Sequence, residues 1–558
     1  YWFNLGDSIM AKVKIQGHAS GTGVITLTAP NTDTDRTITL PDESITLSAG
    51  ATTLGGLTDA TTPATGNIGL GSGAVDSITT GDYNVGLGED ALTANTTGSD
   101  NIAIGRQSLS VNTTGSDNSA LGYRALMNNS TGSNNIAVGL NALYANTTAS
   151  SNTAVGYDAL KLNTTGADNV AVGAYALDAN TTASYNTAIG RSSLGANTTG
   201  DSNTALGYSA LIYNTTGSNN VAIGMEAGLS NTTGSNNTVL GYGALEKNTT
   251  ASNNVAIGRD ALEENTTGSR NTAEGYLSLS ANTTGGSNTA MGAYSLASNT
   301  TASYNTAVGD TALYTNTTGA NNTAVGDHSL YSNTTGSEAT AVGRNALINQ
   351  TTATNNVALG YDCMKTVTTG GENTSVGTYA LQAVTNGNNN TAIGYASGQT
   401  TTSGTYNIML GRAAYSSSAT ASNECTLGGT YVNNLRCNDT SISSLSDSRD
   451  KTSIEDIPLG LAFINTVRPV AFDWNCREDN EDLGLVGEMD VHKAGKKDFG
   501  FIAQELKTAA DATDYADHMR LVSESNPNRL EADPMKMFPI LIKAIQELSA
   551  KVTALESE

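Results

Sequence analysis

Residues 152–168 read "NTAVGYDALKLNTTGAD", and the next seventeen, 169–185, repeat the pattern as "NVAVGAYALDANTTASY". Working outward from this pair, a glycine recurs every 17 residues from Gly71 through Gly88, Gly105 and Gly122 to Gly394, Gly411 and Gly428, 22 in succession without a slip. Four positions before each glycine stands an asparagine, starting at Asn67; Ala339 and Glu424 alone depart from the rule. A register held over this distance is architectural. Seventeen residues are too few for a pair of helices with their turns, so each unit reads as one coil of a β-solenoid. In this reading "NTAVG" is a short strand, its glycine a turn or close approach, "ALKLNTT" a second strand, and "GAD" the return to the next asparagine.

The side chains suggest how a coil is filled. The fourth position is nearly always large and apolar (Val155, Val172, Ile189, Leu206), and the ninth is usually Leu, as in Leu126, Leu143 and Leu160. Both are expected inside. Alanine at the third position then lies on the opposite strand face, by the period of two. A strand apolar on both faces is buried on both, which predicts that the second face meets another chain. Whether three chains coil separately or interweave stays open. Glu274 interrupts the apolar fourth position.

Stacked asparagines can bond amide to amide from coil to coil, as in polar ladders of cross-β stacks. A second asparagine column runs from Asn95 to Asn333 within "NTT". That segment also spells the N-x-T acceptor pattern, but a structural corner is the expected role. Tyrosines that follow the glycine (Tyr123, Tyr157, Tyr208, Tyr242) are read as packing from coil to coil rather than as sugar platforms. With coils about 4.8 Å apart, the repeats make a rod roughly 100 Å long.

Composition agrees with repetition rather than with an ordinary core: of 558 residues, 14% are charged, 5% are aromatic and 60 are glycine. A net charge of −24 argues against nucleic acid and against insertion in an anionic membrane. Cys363, Cys425, Cys437 and Cys476 form no CxxC pair, and the four histidines have no metal-ligand spacing. No cofactor or metal is expected. No stretch reaches the roughly 20 apolar residues of a membrane span, and no signal segment opens the chain. Paired carboxylates for glycoside chemistry do not recur.

The two ends differ from the rod. Residues 1–9 look extraneous, and Met10 is a natural start. Within 10–46, "GTGVITLTAPNTDTDRTITLPDESITL" reads as two alternating strands about Pro30 and Asn31; the segment resembles β-rich attachment segments near the start of phage tail fibres. Toward the C-terminus, "RPVAFDW" (468–474) reads as a strand, and "DFGFIAQEL" (498–506) as a strand running into a helix. From Phe538, apolar residues at Leu541, Ile545, Leu548, Val552 and Leu555 alternate steps of three and four, an a/d heptad seam. Pro539 suits the first helical turn.

Two resemblances follow. The "NxAxG" core is similar to the β-roll heads of trimeric autotransporter adhesins, which use a shorter period and carry a membrane anchor. More specifically, "SDSRDKTSIEDI", "RPVAFDW", "GFIAQEL" and the terminal heptads, in that order over 446–558, resemble the intramolecular chaperone domain found at the end of phage endosialidases. That resemblance implies a domain that trimerises, guides folding of the fibre before it, and cuts itself off. The family's Ser-Asp-x-Arg-x-Lys pattern falls on Ser446, Asp447, Arg449 and Lys451, which implies cleavage between Leu445 and Ser446. Ser446 would be the nucleophile, Lys451 the base activating it once desolvated, and Asp447 and Arg449 the loop supports.

The expected organisation is a mainly β chain. It comprises an N-terminal attachment segment (1–48), a linker (49–66), a β-solenoid (67–430) and a junction (431–445), then a small α+β chaperone domain (446–535) and a coiled-coil helix (536–558). The expected role is a homotrimeric phage tail fibre or tailspike, assembled in the host cytoplasm and carried on the virion. It would be bound to the tail or baseplate through its N-terminus and directed at a host surface glycan, with no glycan-degrading activity. A bacterial surface adhesin and an ice-binding solenoid are the alternatives.

Overall fold

The computed structural model describes residues 64–429, 432, 454–473, 497–523 and 530–557. The strands expected in 10–46 lie outside them. The shaft is a ladder of 22 three-residue strands, from β1 (Ile68–Leu70) to β22 (Cys425–Leu427). Each pairs in parallel with the next at an offset of one repeat, as Thr153–Val155 does with Val170–Val172. The fixed period therefore sets the register directly.

Two expectations are corrected. The segment "ALKLNTT" is not a strand but a run of turns. The backbone enters the left-handed region at Asp158 (φ 54°), just before this segment, and at Leu160 (φ 50°) within it, and Asp168 (φ 57°) does so at the next corner. These kinks forbid a pleated ladder, yet the peptide groups still pair along the axis: the Leu160 N–H donates to Ala176 O (2.9 Å) and that of Leu162 to Asp178 O (3.1 Å). A leucine in the left-handed region costs about 1–2 kcal/mol. Complete burial of Leu160 returns a similar amount, about 1.5–3 kcal/mol.

The second correction concerns the strand faces. Alanine at the third position points inward and is fully buried, as at Ala154 and Ala171, whereas the fourth position faces out, with Ile189 38% and Leu206 42% exposed. The reason is width. A Cβ added at Gly69, in the third position, would lie 3.0 Å from the Ala74 carbonyl on the opposite wall. Between the walls there is room for one methyl and the leucine of the ninth position.

Departures from the Ala–Leu pair compensate one another eleven residues apart. Gly228 replaces the ninth-position leucine and Val239 then replaces alanine; Gly398 replaces leucine and Met409 fills the gap. In reverse, Val75 brings its branch within 2.9 Å of where a Cβ on Gly86 would stand. Cys363, in the eighth position, meets Ser375 twelve residues on, with Sγ and Oγ 2.8 Å apart; burial pushes the Cys363 thiol up to about 11.

Both asparagine columns are buried ladders. The Asn101 Nδ2 donates to Asn84 Oδ1 (3.0 Å) and to Gly115 O (2.9 Å), while the Asn101 backbone N–H donates to the same Oδ1 (3.1 Å). In the second column, Asn163 donates to Asn146 Oδ1 (3.0 Å) and Gly166 O (2.9 Å). Fully buried and doubly bonded, Asn163 is a corner, as expected of the N-x-T segments. The glycine column is equally exacting: at Gly156 φ is 144°, and a Cβ would stand 2.4 Å from Gly173 O. Tyrosines do pack between coils, with Tyr157 and Tyr175 5.2 Å apart edge to face.

After the shaft comes a small α+β region ending in a helix. It contains α1 (Leu461–Ile464), β23 (Val470–Asp473), β24 (Lys497–Gly500), α2 (Ala503–Asp511), α3 (Ala516–Met519), β25 (Val522–Ser523), β26 (Glu531–Ala532) and α4 (Phe538–Glu556). β23 pairs antiparallel with β24, and β25 with β26. Phe463, Leu506, Ala510, Leu521, Met537 and Ile540 form its core.

Candidate functional site

The predicted cleavage residues Leu445, Ser446, Asp447, Arg449 and Lys451 lie outside the described residues. Asp456 and Ile457 share a shallow groove of about 280 Å³ with Pro539, Ile542, Lys543 and Gln546 of α4. Asp456 and Ile457 thus lie beside the first half of the terminal helix.

A second tie holds α1 on α4. The Glu547 carboxylate accepts the Leu461 N–H (2.8 Å), placing a negative charge on the open N-terminus of α1, where the unpaired N–H groups favour it. Glycine at residue 460 leaves room for this carboxylate: a Cβ there would lie 2.3 Å from Glu547 Oε1 and displace it. Farther along, the guanidinium of Arg468 donates two hydrogen bonds to the Glu505 carboxylate, joining the approach to β23 with α2. That pairing holds Glu505 below the usual carboxylate range and raises Arg468. Lys536 donates to the Arg520 carbonyl (3.0 Å) at the end of α3. Sequence reading missed Gly460, Glu547, Arg468 and Glu505. The signal available, a glycine before a short apolar run, names no partner 87 residues away.

α4 itself is as expected from Phe538 onward, with Pro539 in its first turn. Its heptad seam is bare in the single chain: Phe538, Ile545, Leu548, Val552 and Leu555 are all exposed. The outward strand face of the shaft is bare too, at Ile102, Leu121, Ile136, Leu240, Met291, Ile393 and others. Both are large apolar rows on one chain, of the kind that marks an interaction surface. Among the described residues, no helix is long and apolar enough to cross a membrane, and no cluster of His, Cys, Asp or Glu could hold a metal ion.

The architecture is thus a one-strand-per-turn solenoid shaft followed by a small α+β region whose terminal helix carries a bare heptad seam. Residues 446–518 match the family model described as chaperone of endosialidase. The match opens on Ser446, the first residue of the expected cleavage product. No curated protein and no solved structure matches the chain.

Proposed function

We propose that the chain is a tail-fibre or tailspike-like protein whose C-terminal domain gathers three copies, aligns their shafts and then severs itself. One observation carries the reading: the chain has two bare apolar rows, one on α4 and one along the shaft strands, at opposite scales of the same problem. A 19-residue helix such as α4 is marginal alone and gains from partner helices. A long parallel ladder nucleates slowly, because loop closure and alignment precede the rewarding contacts. Joining three chains at the helix first places the shafts at high effective concentration and in common register. The outward apolar strand faces then close on one another.

Release follows from serine chemistry. The Ser446 Oγ, its proton taken by the Lys451 amine, attacks the Leu445 carbonyl carbon. The C–N bond breaks as the nitrogen takes a proton, leaving an ester. Water hydrolyses the ester to a Leu445 carboxylate and a Ser446 hydroxyl with a free amino terminus. The shaft that remains unfolds only across a large barrier. Attachment to a phage tail through the N-terminal segment, virion location and recognition of a host surface glycan complete the proposal.

The test is mass determination of the purified protein, native and denatured. Wild type should yield two fragments that meet between Leu445 and Ser446, with three shafts per native particle, while Ser446→Ala should give one intact band. An intact wild type after folding rejects the cleavage, and a well-folded single chain rejects the assembly.

A further inference from the structure

One corner of the shaft carries a groove. In many coils the residue before the last position is serine, and its Oγ accepts the N–H of the preceding coil, as Ser133 accepts from Ser116 (3.0 Å). At residues 286 and 371 it is glycine, and around Gly371 a groove of about 430 Å³ runs over four coils. Thr354, Gly371, Glu372, Asn388 and Asn389 line it, and the ring of Tyr406 stands at one end. The Gly371 N–H donates to Asn388 Oδ1 (2.7 Å), which fixes that amide across the floor.

Tyr406 is aromatic at a corner where several other coils carry asparagine. It sits at φ 59°, where a bulky side chain is disfavoured, and 61% of it is exposed. Other coils place Asn219 or Asn236 in the same conformation at the same position. Exposed tyrosines recur at this corner at Tyr83, Tyr185 and Tyr304, six or seven coils apart.

We infer that the groove from Thr354 to Tyr406 is a binding site for a neutral, linear oligosaccharide lying along the shaft axis. The inference rests on the glycan-directed reading above and gives it a place. Polar groups repeat along the groove at the coil spacing of about 4.8 Å, close to the length of one hexose in an extended chain. Hydroxyl and amide side chains meet sugar hydroxyls, and the tyrosine face meets the C–H face of a terminal ring, the mix of apolar platform and few polar groups that ligand sites use. Glu372 in the wall and the net charge of −24 oppose an acidic polymer.

The test uses the full-length protein with four probes: cellotetraose, maltotetraose, chitotetraose and tetrameric sialic acid, followed by saturation-transfer NMR and calorimetric titration. At least one neutral probe should bind and the sialic acid tetramer should not. Tyr406→Asn and Gly371→Ser, both residues native to this position in other coils, should each weaken binding at least tenfold while the native mass stays that of wild type. Failure of every neutral probe, preference for the acidic one, or equal binding by both variants overturns the site. Native mass separates the two readings: a single-chain particle that still binds removes the trimer and keeps the groove, and a trimer that binds nothing does the reverse.

Discussion

Exchanging Gly398 and Met409 for the pair used elsewhere tests the packing rule most directly. Met409 is almost fully buried, so Met409→Ala alone should cost about 2–5 kcal/mol through lost contacts and the cavity left. Gly398→Leu alone overfills the same space. Its Cβ would stand 2.7 Å from Leu381 Cδ2 and 2.9 Å from both Sδ and Cε of Met409, a crowding worth about 1–3 kcal/mol. The double variant recreates the arrangement of Leu381 with Ala392 one coil earlier, at a backbone φ of 62° against 46° for Leu381. It should lie within about 1–2 kcal/mol of wild type, the residue being the steric cost of a left-handed leucine. The coupling between the two changes is then about 2–3 kcal/mol or more. Because a repeat array does not unfold in two states, the readout is amide hydrogen exchange in the flanking coils. Each single change should speed it at least tenfold, about 1.4 kcal/mol, and the pair should restore protection. Additive losses would refute the reasoning.

Other predictions follow from the ladder, the charges and the helix. Asn163→Val removes one rung, leaving Asn146 Oδ1 without its donor and Asn180 with one partner fewer. About 1–3 kcal/mol of local stability should be lost, read by exchange, whereas Asn163→Asp should cost more because it buries a charge. Burial, and then the nearby Asp158, push the Asp178 carboxyl above its ordinary range. Folded chain therefore holds that proton to higher pH than unfolded chain, so this contribution is complete below the unfolded value and is lost as pH rises through the folded one. Asp178→Asn should accordingly raise the melting midpoint at pH 7, and the gain should vanish below roughly pH 4. Ile545→Glu with Leu548→Glu alters only exposed seam positions; the C-terminal domain should keep its helix content by circular dichroism while the shaft fails to assemble into soluble particles. Soluble trimer from this variant would count against the seam.

Cysteine chemistry gives a simpler check. Cys425 is exposed and Cys363 is buried with its thiol pushed up to about 11, so iodoacetamide at pH 8 should modify Cys425 and leave Cys363 untouched until the shaft is unfolded. Equal labelling in the folded state would mean that the coil interior is open.

Period, register and the two asparagine columns were legible in the amino-acid sequence alone, because in a solenoid each residue meets its counterpart one repeat away and nothing more distant is needed. The helix from Phe538 was legible for a similar reason: a heptad pattern states its own geometry. Which strand face turns inward was not. Alanine and valine are both apolar, and alternation says only that they part company; the distance to the Ala74-type carbonyl across the coil, set by left-handed corners at residues such as Asp158 and Leu160, makes the methyl the one that fits. The Glu547 cap on α1, the Gly398–Met409 exchange and the groove ending at Tyr406 likewise came from tertiary structure, since each depends on atoms brought together by folding across a space whose width no local pattern encodes.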